Sequence, residues 1–150
     1  MDMTEYDVAE SFYTESLNCF SQESVRNTIN LGHNGLLMSY NNIGVCRLRL
    51  GDMNGASNHF KQAITVAQKF NLLTSIDYVT VIRNMGRLFV LTGEHNNAMR
   101  YFLSSASIVF KYKYRDPLCG QLIKDISNIT TNVKQKKIRR ILKQLQALVQ

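Results

Sequence analysis

The chain has 150 residues, 45% of them hydrophobic, with 18 Lys and Arg against 11 Asp and Glu, for a formal net charge of +7. With a single proline and no run of glycine or serine it shows no linker, and it is long enough to bury one core as a single domain over residues 1–150. It has no continuous apolar run of membrane-spanning length, and its acidic start, MDMTEYDVAE, is the reverse of a secretory leader, which points to a soluble protein of the cytoplasm or nucleus.

Residues 5 to 20 form the first predicted helix. Its Ala9, Tyr13, Ser16 and Leu17 have the spacing of Ala56, Phe60, Ala63 and Ile64, so it reads as the second helix of a unit whose first is missing, or as an atypical cap. Gly32, Asn34 and Gly35 make residues 21 to 35 a short helix and a loop, and 1–35 together an atypical N-terminal cap. Leu37, Tyr40, Ile43, Leu48 and Leu50 then keep helical spacing to a stop at Gly51-Asp52. A second helix over 54–70 carries Ala56, Phe60, Ala63, Ile64 and Ala67 on one stripe.

The chain then repeats this helix pair at a fixed step. Gly44 to Gly86 is 42 residues, as are Gly51 to Gly93, Ala56 to Ala98, Phe60 to Phe102, Asn42 to Asn84 and Lys69-Phe70 to Lys111-Tyr112. The two units span 36–71 and 78–113. Gly44 and Ala56 are placed where two helix axes cross, because only residues without bulk let the axes come close, with Phe60 in the groove beside them. Pro117 starts a helix over 117–131, and another helix runs over 133–149. A further step of 42 lands on Asn128, Arg140 and Gln144, so 114–150 is a degenerate cap that ends the array with a basic helix.

The residues Tyr40, Ile43-Gly44, Gly51-Asp52, Ala56, Phe60 and Ala63, and again Ile82, Met85-Gly86, Gly93-Glu94, Ala98, Phe102 and Ser105, resemble the tetratricopeptide repeat family. Arg47 and His95 stand where that family usually has an aromatic, and no proline closes either unit. The long unit is similar to those of the kinesin-light-chain-like branch and of bacterial peptide-sensing regulators. The resemblance implies an all-α fold, a right-handed α-solenoid of antiparallel helix pairs with about six to eight helices. It also implies a protein-protein interaction module, a scaffold or adaptor, that binds a peptide or helix of a partner in a concave groove.

Counted from the repeat glycines, that groove is lined by Met38, Asn41, Asn42, Val45 and Arg49 of one unit and Thr80, Arg83, Asn84 and Arg87 of the next. Asn42 and Asn84 resemble the asparagines with which family members hold an extended peptide backbone, since an amide offers both donor and acceptor. The alternative is that they bridge neighbouring helices. Arg83 and Arg87, one turn apart, favour an acidic ligand, whereas Val45 stands where the carboxylate clamp of chaperone-binding relatives needs an asparagine.

Nothing in the sequence assembles a catalytic or cofactor site. Cys19, Cys46 and Cys119 have no CxxC spacing and read as reduced thiols, and His33, His59 and His95 form no ligand pair on one helical face. Without a phosphate loop or a nucleophile elbow, the chain is read as a non-enzyme with no cofactor or metal.

The charge is uneven. Residues 111 to 150 hold ten bases and two acids, and residues 1 to 25 hold six acids and no Lys or Arg. In the tail, Ile138, Ile141, Leu142, Leu145, Leu148 and Val149 share one helical face, flanked by Lys134, Lys137, Arg140 and Lys143. That face reads as the cap of the array with a solvated basic outside. The competing reading makes Lys134, Lys136, Lys137, Arg139, Arg140 and Lys143 a contact for nucleic acid, an acidic membrane surface or an acidic protein. The opposed charges of the two ends also allow self-association, or a place within a larger complex.

Overall fold

The computed structural model describes residues 3–21, 31–114, 117–129 and 136–149. Among them are seven helices and no strand: α1 (Met3–Ser21), α2 (Leu31–Arg49), α3 (Met53–Lys69), α4 (Ile76–Leu91), α5 (His95–Tyr112), α6 (Pro117–Ile129) and α7 (Lys136–Val149). The chain divides into two compact units, Met1–Asn84 and Met85–Gln150, with the boundary inside α4.

In the first unit α1 and α3 both pack on α2. Leu36 and Leu37 of α2, Ala63, Val66 and Ala67 of α3 and Val81 of α4 form a buried cluster, with Leu17 of α1 laid against it. Gly44 lies under the Phe60 ring, so close that a β-carbon on it would stand 2.6 Å from Cε1. The ring and the neighbouring Ala56 are fully buried. This is the crossing that the spacing predicts: a residue without a side chain on one helix receives the aromatic of the other, and burying the ring contributes about 1.5–3 kcal/mol.

The loop expected over residues 31–35 is not observed. These residues belong to α2, which starts at Leu31, five residues before the apolar pattern begins. Two glycines there disfavour a helix by about 1 kcal/mol each. Packing overrides them: Gly32 is buried, and the His33 ring stacks on Phe70 with centroids 3.6 Å apart and planes 10° from parallel. The cap residues 22–30 lie outside the described residues.

The second unit repeats the crossing. A β-carbon on Gly86 would stand 2.5 Å from Cε1 of Phe102, whose ring is fully buried, and Ala98, Ala106 and Val109 of α5 complete that face. α6 packs on α5, and α7 packs on both. Leu118, Leu122 and Ile126 of α6 and Ile138 and Leu145 of α7 are buried, while Val149 at the end of the predicted apolar face is 59% exposed.

The period governs the backbone as well. Gly51 and Gly93 take φ of 83° and 78°, the left-handed region that glycine enters at no steric cost. After each, the next amide reaches back to close the helix, Asp52 N to Arg47 O at 2.9 Å and Glu94 N to Phe89 O at 2.8 Å. Asn71 and Lys113, again 42 apart, both turn left-handed at φ 57° and 53°. Before each of them a lysine lies over an aromatic, Lys69 on Phe70 and Lys111 on Tyr112, both at 5.5 Å.

Candidate functional site

The residues expected to line a groove occupy one face of α2 and one face of α4, at steps of three and four. All but Arg87 fall in the first unit. Their environments differ. Asn41 and Asn84 are buried, 2% and 6% exposed, while Asn42 and Val45 are half-buried and Arg49 is exposed. Met38 packs against the buried cluster, and Thr80 turns its hydroxyl to its own helix, donating to Ile76 O at 3.1 Å.

Three amides are joined in a chain. Asn84 Nδ2 donates to Asn41 Oδ1 at 2.9 Å, and Asn41 Nδ2 donates to Asn42 Oδ1 at 3.1 Å. A buried amide without partners costs about 1–3 kcal/mol, so two buried asparagines persist here because each satisfies the other. The chain has a direction. Asn42 accepts through its oxygen and is the half-buried member of the three. Asn84 is therefore a tie between α4 and α2. Asn41, the link between Asn84 and Asn42, has Arg83 as its counterpart one period later. Counting from the repeat glycine placed it in the groove, but its bond to Asn84 carries no repeat signal. Arg83 is 9% exposed, and both it and Arg87 already have partners.

A second constellation joins α1 to α2. Arg47 Nη2 lies 2.5 Å from Glu10 Oε1, and its Nη1 lies 3.4 Å from Asp52 Oδ2. The arginine that replaces an aromatic at this repeat position thus holds the N-terminal helix and the turn. Asp52 also caps α3, its Oδ1 accepting from Gly55 N at 2.8 Å. Beside the pair is a recess of about 570 Å³ between Asp7, Glu10, Ser11 and Thr14 of α1 and Arg47 and Leu50. The buried Cys46 thiol of α2 is pushed up from its ordinary pKa, first by burial and then by the Glu10 charge. Burial also raises the Asp77 carboxyl at the start of α4.

Of the residues expected to make a basic contact, Arg139, Arg140 and Lys143 are exposed on α7. Lys134 and the side chains of Lys136 and Lys137 lie outside the described residues.

The tetratricopeptide repeat family matches residues 35–109, half of the chain and the stretch that holds both repeat crossings and the amide chain. The chain belongs to this family. No curated protein and no solved structure matches it. Tetratricopeptide repeats generally mediate protein-protein interaction or scaffolding, and their conformation here is the family's helix pairing, α2 with α3 and α4 with α5. No helix among the described residues is long and apolar enough to cross a membrane.

Proposed function

We propose that this tetratricopeptide protein holds a peptide or helix of a partner protein on the α2–α4 face of its first unit, as a scaffold or adaptor within a larger assembly. The observation that carries the reading is the amide chain from Asn84 through Asn41 to Asn42. Its two buried members fix the third, so the Asn42 amide is held in place before a ligand arrives and little ordering entropy remains to be lost on binding. An amide donor recognises a main-chain carbonyl whatever side chains accompany it. Half-buried Val45 beside it supplies apolar contact. Because Arg83 is buried and engaged, recognition rests on the backbone more than on ligand charge.

The test is affinity capture from native extract with immobilised protein, read by mass spectrometry, comparing the unaltered chain with Asn42→Ala. Loss of one hydrogen bond of about 1 kcal/mol lowers retention of a specific partner roughly fivefold, and because the change also takes the acceptor from the buried Asn41 amide, the comparison is made at a temperature where the melting curves show both chains folded. The same partners in the same yield would rule out this face. A second reading, an adaptor for nucleic acid or an acidic membrane, is favoured by the exposed Arg139, Arg140 and Lys143. It requires binding to an oligonucleotide or to anionic vesicles that falls steeply with salt.

A further inference from the structure

We propose that the exposed face of α1 is a docking surface for the basic face of α7 of a second copy of this chain. The two ends of the sequence are matched in charge and opposite in sign. Residues 1–25 carry six acids and no Lys or Arg, and residues 126–150 carry six Lys and Arg and no acid.

On α1 the stripe Glu5, Val8, Phe12, Glu15 runs at steps of three, four and three, with exposed Asp7 beside it. Val8 is 55% exposed and Phe12 64%, whereas Ala9, Tyr13 and Leu17 on the other side are half-buried where α1 packs on α2. Glu10 belongs to that inner contact through Arg47 and takes no part. The outer face is thus an apolar ridge bordered by carboxylates.

On α7 the apolar residues Ile138 and Leu145 are buried within their own unit, and the face that remains outside presents Arg139, Arg140 and Lys143 with Ala147. Arginine suits such a ridge. Its stem covers apolar surface, its guanidinium stacks on an aromatic ring, and its charge reaches the flanking carboxylates. A second copy supplies this face at the same concentration as the acidic one. Exposed charges are screened over about 8–10 Å at ordinary salt, so the contact is salt-sensitive.

Sedimentation velocity tests it with two charge-reversed chains, one carrying Asp7→Lys and Glu15→Lys, the other Arg139→Glu, Arg140→Glu and Lys143→Glu. The unaltered chain should gain mean mass with concentration at low salt and lose it at about 0.5 M salt. Each reversed chain alone should stay monomeric, and their equimolar mixture should associate again. A monomeric unaltered chain at low salt overturns the proposal. So does association of either reversed chain at the unaltered level, or a mixture that stays monomeric although both chains melt normally. If a reversal unfolds its chain, Arg139→Gln, Arg140→Gln and Lys143→Gln replace it, with association expected to weaken about tenfold and an unchanged constant overturning the proposal.

Discussion

Adding a single methyl group at Gly44 tests the repeat crossing. A β-carbon there would lie 2.6, 2.8 and 3.2 Å from Cε1, Cδ1 and Cζ of Phe60, and at Gly86 it would lie 2.5, 2.8 and 3.1 Å from the same atoms of Phe102. Ordinary carbon contact begins near ~3.5 Å, so the ring must retreat by close to an ångström. Both rings are fully buried. Overpacking of this kind costs about 1–3 kcal/mol, and the gain from replacing a helical glycine by alanine returns up to about 1 kcal/mol. Gly44→Ala and Gly86→Ala should each therefore destabilise by about 0.5–2 kcal/mol, and valine at either site by more. Gly120 in α6 is the control, since a β-carbon there meets nothing within 4 Å, and Gly120→Ala should raise stability by up to about 1 kcal/mol. Thermal and urea unfolding followed by circular dichroism reads these differences, at about 2–4 °C for each kcal/mol. Pairing Gly44→Ala with Phe60→Leu should recover part of the loss that the two single changes sum to. If Gly44→Ala stabilises as much as Gly120→Ala does, the close approach at the crossing is refuted.

Asn41→Ala should cost about 1–3 kcal/mol by stranding the buried Asn84 amide, more than Asn42→Ala does, and a double-mutant cycle between Asn41 and Asn84 measures the tie directly. Burial raises the Asp77 pKa above its unfolded value, so the ionised carboxyl opposes folding at neutral pH, and that penalty disappears as pH falls through the raised value towards the ordinary carboxylate range. Asp77→Asn should hence melt higher than the unaltered chain at neutral pH, with the difference shrinking to nothing in acid; a constant difference would refute the assignment. Glu10→Gln removes the smaller of the two causes that raise the Cys46 thiol and leaves Arg47 paired with Asp52 alone, so the pH midpoint of Cys46 alkylation, followed peptide by peptide in mass spectrometry, should move down. An unmoved midpoint would deny that Glu10 acts on the thiol.

The helix pairs were legible because their determinants are single residue types at fixed separations. Gly44 with Phe60 and Gly86 with Phe102 need no knowledge of the rest of the chain, and Gly51 and Gly93 announce their turns by being the residues that a left-handed turn favours. The start of α2 was not legible. Its glycines and asparagine speak locally for a loop, and the distant Phe70 under His33 keeps Leu31–Gly35 helical, a contact between residues 37 apart that no window of sequence contains. The candidate site was half legible for the same reason. The period marked Asn42 and Asn84 as equivalent, but their roles differ, because Asn84 bonds to Asn41 and not to its own counterpart.

The positions where the two units disagree are the ones that distinguish this protein from a generic repeat. Equivalent positions that agree, the glycines, Ala56 and Ala98, Phe60 and Phe102, do the same packing work twice and leave nothing over for a partner. Where the units differ, the side chain answers to the neighbours of one unit alone. Arg47 stands where the next unit has Phe89; the arginine ties α1 and the turn through Glu10 and Asp52, while Phe89 stacks on Tyr101 with centroids 5.4 Å apart. Asn41 stands where the next unit has Arg83, and of the two only the amide can both accept from Asn84 and donate to Asn42, since a guanidinium has no acceptor. An arginine at position 41 would break the chain at its centre and leave Asn42 unheld. The directional amide chain, on which the proposed recognition at Asn42 rests, arises from one substitution against the repeat.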